Sequence, residues 1–469
     1  MTNDRQLPSN LLSEIRSCAV FFVALALVYG FWLVVFWPGV LGEDSLAILL
    51  QVENPETFNA GKTAFWYYYV RLLYEQYRLA ELPIGLILIL SAFILARILG
   101  WCWSQRLYWT VAFLSVFVCL APHLVFFIGS LYPDGIFAIA VAGLLFEIGL
   151  IRRRRKAGLL SLFVVVITLP FAVLMRTNGI IFLLPAVVLV FMVDRKTKIW
   201  LSMIIAGWCS LAAIGLYYYK HKPFDVLYPL AVFETVNFLQ PRPMNLWIDA
   251  PRVLPRTVET MTRHHPIENW LKNYDPDYWD PLNFGADGPQ ALRLPAHDRN
   301  VIVRDFFRYN LWHNIPKFMS SRVNVFLVAS FAQGGFPGPD YSKHVLDQTK
   351  SQTVYRKFHL SDAERLLKTI DEYSYKYRML LWTPFLGIGL MIWALGIGIR
   401  ERDAAFLLVS LPMLAQLAGI FIFSIAGEYR YLFHFFTLPL ALLPLIATHS
   451  LRKTKRLSKF HIQTSTVSD

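Results

Sequence analysis

The chain has 469 residues, of which 56% are hydrophobic and 16% charged, and a formal net charge of +13. Soluble globular domains carry about 25% charged residues, so this composition excludes one and points to a polytopic membrane protein. The excess of Lys and Arg sits in short loops between apolar runs, where it reads as a topology signal, and no nucleic-acid partner is expected.

The first apolar run, 18–37, follows Arg5 and Arg16 and ends in Trp37-Pro38-Gly39. It is too long for a signal-peptide core and lacks a small-x-small cleavage site, so it reads as an uncleaved signal anchor. The segment 38–82 is too long for a connector. Within it Asp44–Gln51 reads as a short helix and Phe65–Tyr74 as an amphipathic aromatic one, both expected to lie flat on the outer membrane surface. Six apolar runs follow, at 83–103, 108–130, 135–151, 157–175, 179–193 and 199–219, the fourth to sixth spans of the chain being short for a crossing of about 20 residues. Residues 220–378 then form a domain-sized insertion rich in Pro, Trp and Asp, as in Tyr274-Asp275-Pro276-Asp277-Tyr278-Trp279-Asp280-Pro281. A helix is expected over Val303–Ala332, interrupted at Pro316. Another is expected over 361–376, with Ser361 and Glu364 in capping-box spacing. Three more spans, 379–399, 404–427 and 432–449, precede a basic tail over 450–469.

These runs predict an all-α membrane protein of about ten transmembrane helices. Its parts are an N-terminal bundle over 1–219, an outer loop domain over 220–378 between spans seven and eight, C-terminal helices over 379–449 and the tail. One set of loops holds Arg106, Arg152-Arg153-Arg154-Arg155-Lys156, Arg195-Lys196-Thr197-Lys198 and Arg400-Glu401-Arg402, and the tail holds Arg452-Lys453-Thr454-Lys455-Arg456. The opposite short loops hold only Arg176 and Arg430. The positive-inside rule then places both termini in the cytoplasm.

Four polar motifs fall on the other side, each at the end of an apolar run: Gly42-Glu43-Asp44-Ser45, Tyr132-Pro133-Asp134-Gly135, Arg176-Thr177-Asn178-Gly179 and Glu428-Tyr429-Arg430-Tyr431. Asp44 is a candidate general base, with Glu43 competing for the role, and a plain helix N-cap is the rival reading. Asp134 is a second candidate acid, or else a turn residue and N-cap. Arg176 and Arg430 run against the charge bias. They read as guanidinium clamps for a phosphate, or as snorkelling and salt-bridged residues. Tyr132, Asn178, Glu428, Tyr429 and Tyr431 are supporting residues. Glu147 reads as snorkelling toward the Arg152 run, and His123 and His434 as packed polar residues. Trp247, Trp270, Trp279 and Trp312 stack on sugar rings or pack the loop core. The cysteines, Cys18, Cys102, Cys119 and Cys209, read as small core hydrophobes. No cofactor is specified by spacing, although a divalent metal, Mg or Mn, is left open. A transporter would place its ionisable groups nearer mid-span.

The acid of the first outer loop, the acid after span three, the Arg-x-Asn-Gly turn and the late Glu-Tyr-Arg-Tyr together resemble the GT-C class of membrane glycosyltransferases. Trp37-Pro38-Gly39-Val40-Leu41-Gly42-Glu43-Asp44-Ser45 is similar to the Pro-Gly…Asp-Ser opening of bacterial members. The resemblance implies transfer of a sugar, with inversion, from a polyprenyl-phosphate carrier to a surface glycan or lipid acceptor of the O-antigen or lipopolysaccharide kind. The site would be on the periplasmic or external face of the bacterial inner membrane, with Asp44 as base and membrane lipids around the bundle. A polymerase or ligase of lipid-linked glycans is the competing enzyme class, and a transporter or flippase the non-enzyme one.

Overall fold

The computed structural model describes residues 11–220, 226–241 and 252–465, so Arg5 and Trp247 lie outside the described residues, as do the side chains of Lys455 and Arg456. Regular structure among the described residues is helical, apart from one isolated antiparallel bridge between Tyr278 and Ala426. Seven helices there are long and apolar enough to cross a membrane: Leu12–Val35, Glu81–Ser104, Pro133–Arg154, Arg195–Tyr218, Arg378–Arg400, Ala404–Phe423 and Tyr429–Lys453. The number is eight if Tyr108–Cys119 and Pro122–Ile128, which meet at 66°, are one bent span. This is a multi-pass membrane protein whose apolar helix faces contact lipid. Arg195–Tyr218, for example, leaves Ile199, Trp200, Met203, Leu211 and Ile214 exposed.

Two departures from the expected spans have local causes. The run 108–130 is not one straight helix. Pro122 lacks an N–H and its ring clashes with the preceding turn, so the chain breaks at Leu120–Ala121 and restarts in a new direction. The runs 157–175 and 179–193 shorten to Leu159–Val173 and Thr177–Val190, the latter opening as a 3-10 turn over Thr177–Phe182.

Contacts divide the chain into two compact units. The first comprises Met1–Pro223, Phe336–Ala415 and Phe433–Asp469. Its opening helices are α1 (Leu11–Val35), α2 (Glu43–Glu53), α3 (Ala64–Tyr74), α4 (Glu81–Ser104), α5 (Tyr108–Cys119), α6 (Pro122–Ile128), α7 (Pro133–Arg154), α8 (Leu159–Val173), α9 (Leu183–Val190) and α10 (Arg195–Tyr218). The α7 helix is apolar on every side and its most apolar stretch is wholly buried, so it takes the central place. Around it pack α4, α6, α8, Phe433–Thr437 and Pro439–Ser465. Its two ends fix the direction of the neighbouring chain. Asp134, at its start, pairs with Arg176 beyond the end of α8. At its finish the carbonyl of Arg155 accepts from Asp194 N–H at 3.0 Å, and Ala157 N–H donates to Thr197 Oγ1 at 3.0 Å. The two short segments, α8 and Thr177–Val190, thus run out and back between the two ends of α7.

Glu147 does not snorkel toward the Arg152 run. It is fully buried and pairs with Arg97 Nε at 2.7 Å, while Glu14 takes another nitrogen of the same guanidinium. An acid in the middle of an apolar helix needs a partner at its own depth, and Arg97 of α4 supplies one. Cys18 and Cys102 are core residues as expected, whereas Cys209 is exposed on α10.

The second unit comprises Phe224–Gly335 and Gln416–Leu432. Its apolar core gathers Phe233, Trp270, Trp279, Ile302 and Phe306, which places Trp270 and Trp279 as packing residues and leaves Trp312 exposed. Within that core Glu234 and Arg322 form an ion pair with both side chains fully buried. Ser321 Oγ donates to Glu234 at 2.8 Å and Asn237 Nδ2 at 2.9 Å, so the carboxylate is well satisfied. The expected helix over Val303–Ala332 is present in pieces. It breaks at Asn314 and restarts as Ile315–Ser330 with Pro316 in its first turn, where a missing N–H is harmless.

The later part of the long segment, from Phe336, belongs to the first unit. Its helix Ser361–Lys376 has the expected bounds but no side-chain cap. Leu360 occupies the N-cap, and Glu364 turns to Arg356 at 3.1 Å and Lys368 at 3.2 Å.

Candidate active site

Asp44 lies in the first turn of α2, but it does not cap it. The N-cap is Gly42, whose N–H donates to Ser45 Oγ at 3.3 Å. Gly42 is needed there for space, because a β-carbon would stand 2.6 Å from the hydroxyl of Tyr132 and 2.8 Å from its ring. The approach to α2 is held from the later part of the chain. Leu41 N–H donates to the buried hydroxyl of Ser342 at 2.9 Å, and that hydroxyl donates to the Gly39 carbonyl at 3.0 Å. Glu43 is exposed, whereas Asp44 is partly shielded and pairs with Lys62 at 2.7 Å.

Lys62 has its own support. The Tyr219 hydroxyl donates to its carbonyl at 2.8 Å and accepts from the fully buried Gln51 at 3.0 Å. Gln51 Oε1 in turn accepts from Ala60 N–H at 3.1 Å. Two turns after Asp44, then, α2 fixes the loop that carries Asp44's counter-ion.

Asp134 also misses the cap position. Tyr132 is the N-cap of α7, and Pro133 and Asp134 fill its first turn. An acid there faces the positive end of the helix, and Asp134 is 1% exposed. Its ion-pair partner is Arg176, which remains 20% exposed. Gly135 lets α7 pass close to α6, since a β-carbon would meet the Phe127 carbonyl oxygen at 2.4 Å. Asn178 follows Arg176 in the 3-10 turn.

These two acid–cation pairs share a neighbourhood. Tyr132, next to Asp134, abuts Gly42, next to Asp44. Thr63, next to Lys62, donates its hydroxyl to the carbonyl of Met175, next to Arg176, at 3.0 Å. The two ion pairs, joined by chain neighbours through Gly42 and Tyr132 on one side and Thr63 and Met175 on the other, form a ring at the start of α7, the end opposite Arg152–Arg155. His434 backs this ring. Its imidazole lies 5.4 Å from Phe137 and 6.5 Å from Phe182, and its Nε2 has no hydrogen-bond partner among the described residues. His123 is stacked on Trp382 at 4.4 Å, a packing role.

Sequence reasoning singled out Asp44, Asp134 and Arg176, which the first unit brings together, but missed Lys62. The fourth motif belongs to the second unit. There Arg430 Nε pairs with Glu428 at 2.5 Å and its guanidinium lies 5.5 Å from the centre of the Tyr431 ring. Tyr429 is fully buried, and Gly335 packs on the side chains of Glu428 and Arg430. Gly427 N–H donates to the Asp277 carbonyl at 2.7 Å, tying this motif to the turn-rich stretch before Trp279. Among the described residues no group of three or more His, Cys, Asp or Glu gathers as a metal cluster. No protein-family description, curated protein or solved structure matches the chain.

Proposed function

We propose that the chain is a membrane glycosyltransferase of the GT-C type, with about ten spans. It would move a sugar from a polyprenyl-phosphate carrier to a glycan or lipid acceptor on the periplasmic side of a bacterial inner membrane. The observation that carries the reading is the pairing of Asp44 with Lys62 and of Asp134 with Arg176 at one end of an apolar bundle. A carrier with an isoprenoid tail and a charged head needs hydrocarbon and cations side by side.

In this reading Asp44 accepts the proton of the acceptor hydroxyl as its oxygen bonds to the anomeric carbon. The bond from that carbon to the phosphate oxygen breaks, and its electron pair leaves with the phosphate. A single displacement inverts the anomeric centre. Arg176 stabilises the departing phosphate, because a guanidinium offers paired donors to phosphate oxygens. Asp134 is shut behind Arg176 and serves as its anchor, a positioning residue. Lys62 orients the Asp44 carboxylate. A divalent metal, Mg or Mn, would compete with Lys62 and Arg176 for the two carboxylates.

The test is Asp44→Asn, which keeps the size of the side chain and removes the carboxylate. Purified variant protein should fold normally and transfer sugar about 100-fold more slowly or worse, the scale of general base catalysis. Transfer at the parental rate would remove Asp44 from the chemistry. Glycan mass spectrometry of a deletion strain separates the classes: loss of one sugar branch supports a transferase, loss of chain length a polymerase or ligase, and an unchanged glycan neither.

A further inference from the structure

At the end of the bundle away from the acid–cation ring, the finish of α7 and the start of α10 enclose an open pocket of about 560 Å³. Arg152, Arg155 and Lys156 line one side, and Phe191, Met192, Val193 and Asp194 the other. The two sides are joined by the hydrogen bond from Asp194 N–H to the Arg155 carbonyl, so the pocket belongs to the fold and is not a chance gap between side chains. Its charge is three cations against one carboxylate. Arg153 and Arg154 are not part of it, and Arg153 is engaged elsewhere with the Leu445 carbonyl at 2.9 Å. Within the pocket the Nε of Arg152 is buried and has no hydrogen-bond partner among the described residues. The N-terminus of α10, a helix of 24 residues, opens beside it and adds its positive dipole end.

The apolar part of the lining is equally telling. Phe191 is 74% exposed and Met192 38%, just past the end of the short apolar stretch Thr177–Val190. Exposed apolar side chains beside a cluster of cations at a helix end occupy the level where acyl chains meet headgroups. The volume lies in the range of about 300–1,000 Å³ that holds small-molecule ligands. A soluble anion would use the cations and leave Phe191 and Met192 in water. A lipid uses both.

We propose that this pocket binds the phosphate headgroup of an anionic bilayer phospholipid, with its acyl chains along Phe191 and Met192. The inference is independent of the chemistry at the other end of the bundle and of which way round the chain is inserted. Native mass spectrometry of the full chain, released from nanodiscs of equal parts phosphatidylglycerol and phosphatidylcholine, tests it. The wild type should retain phosphatidylglycerol over phosphatidylcholine. Arg155→Gln with Lys156→Gln should cut that retention about tenfold or more, since each basic residue contributes a sizeable share of the attraction. Arg152–Arg154 remain in this variant to keep the insertion signal. Equal retention of both lipids by the wild type would overturn the proposal without reference to any variant. So would displacement of the lipid by 10 mM-scale inorganic phosphate, or a stronger preference of this pocket for a polyprenyl phosphate than for phosphatidylglycerol.

Discussion

Replacing Arg97 by Met should be among the most damaging single changes available in this chain. Arg97 is 1% exposed and serves two carboxylates, Glu14 and Glu147, which are 4% and 0% exposed. Ser161 Oγ lies 3.5 Å from the same guanidinium, and the Phe146 ring 5.9 Å, so α1, α4, α7 and α8 meet there. The variant leaves two acids in the bundle interior with no cation at their depth. Breaking a buried ion pair by removing one partner costs about 3–5 kcal/mol. At about 2 °C per kcal/mol for a chain of this class, thermal unfolding in detergent should fall by roughly 6–10 °C. Glu147→Gln should cost less, about 1–3 kcal/mol, because Glu14 still balances the guanidinium and the amide still accepts. The triple variant Arg97→Met, Glu14→Gln, Glu147→Gln should recover much of the loss, as charges removed together leave none stranded. An unfolding temperature for Arg97→Met within about 2 °C of wild type would refute the reasoning. It would mean that Glu147 finds its partner in the Arg152 run after all.

Gly42→Ala should impair the candidate site without unfolding the bundle, since the new methyl group collides with Tyr132 beside Asp134. A drop in transfer activity with unchanged thermal stability is expected, and full activity would dissociate the α2 start from the site. Burial, with Glu372 adding its charge, raises the Asp371 carboxyl to about 6 from 3.8. The protonated form is the one the fold favours, so its contribution is complete below pH 3.8 and is lost as pH rises through about 6. Asp371→Asn should flatten the stability profile over that window, and an identical profile would show that Asp371 titrates normally. In a Cys209→Ser background, which removes the one exposed native thiol among the described residues, a cysteine introduced at Asp287 should react with an impermeant maleimide on intact cells. Reaction only after permeabilisation would reverse the orientation.

Membrane character, the positions of most long helices and the bounds of Ser361–Lys376 were legible in the sequence because they follow from apolar run length and amphipathic period alone. The break at Pro122 was legible in principle, since proline inside an apolar run is a local signal. Pairing was not. Nothing near Glu147 in the chain distinguishes Arg97, 50 positions earlier, from Arg152, five positions later, and sequence proximity favours the wrong one. Only the packing of α4 against α7 decides it. The capping expectations failed for a related reason. Asp44, Asp134 and Ser361 each stand at a helix start, but the helices begin at Glu43, Pro133 and Ser361, which gives the caps to Gly42, Tyr132 and Leu360.

Lys62 shows what a motif search is blind to. It stands in a loop with no other charge near it, Asn59-Ala60-Gly61-Lys62-Thr63, and carries no motif. Its place is set by Gln51 and Tyr219, 168 residues apart, one buried in α2 and the other at the end of α10. Neither residue is ionisable at neutral pH or part of any charged pattern, yet together they hold the loop that delivers a cation to Asp44. The acids of the site announce themselves because each opens a helix after an apolar run. The cation that balances the first of them is delivered by backbone hydrogen bonds from neutral side chains, and such support has no compositional signature. Gln51→Leu should therefore weaken the Asp44–Lys62 pair without touching either residue. If transfer depends on that pair, Gln51→Leu and Lys62→Met should reduce turnover to a similar extent, and the double variant should be little worse than either one alone. Additive losses would show that Gln51 acts on the site by some route other than Lys62.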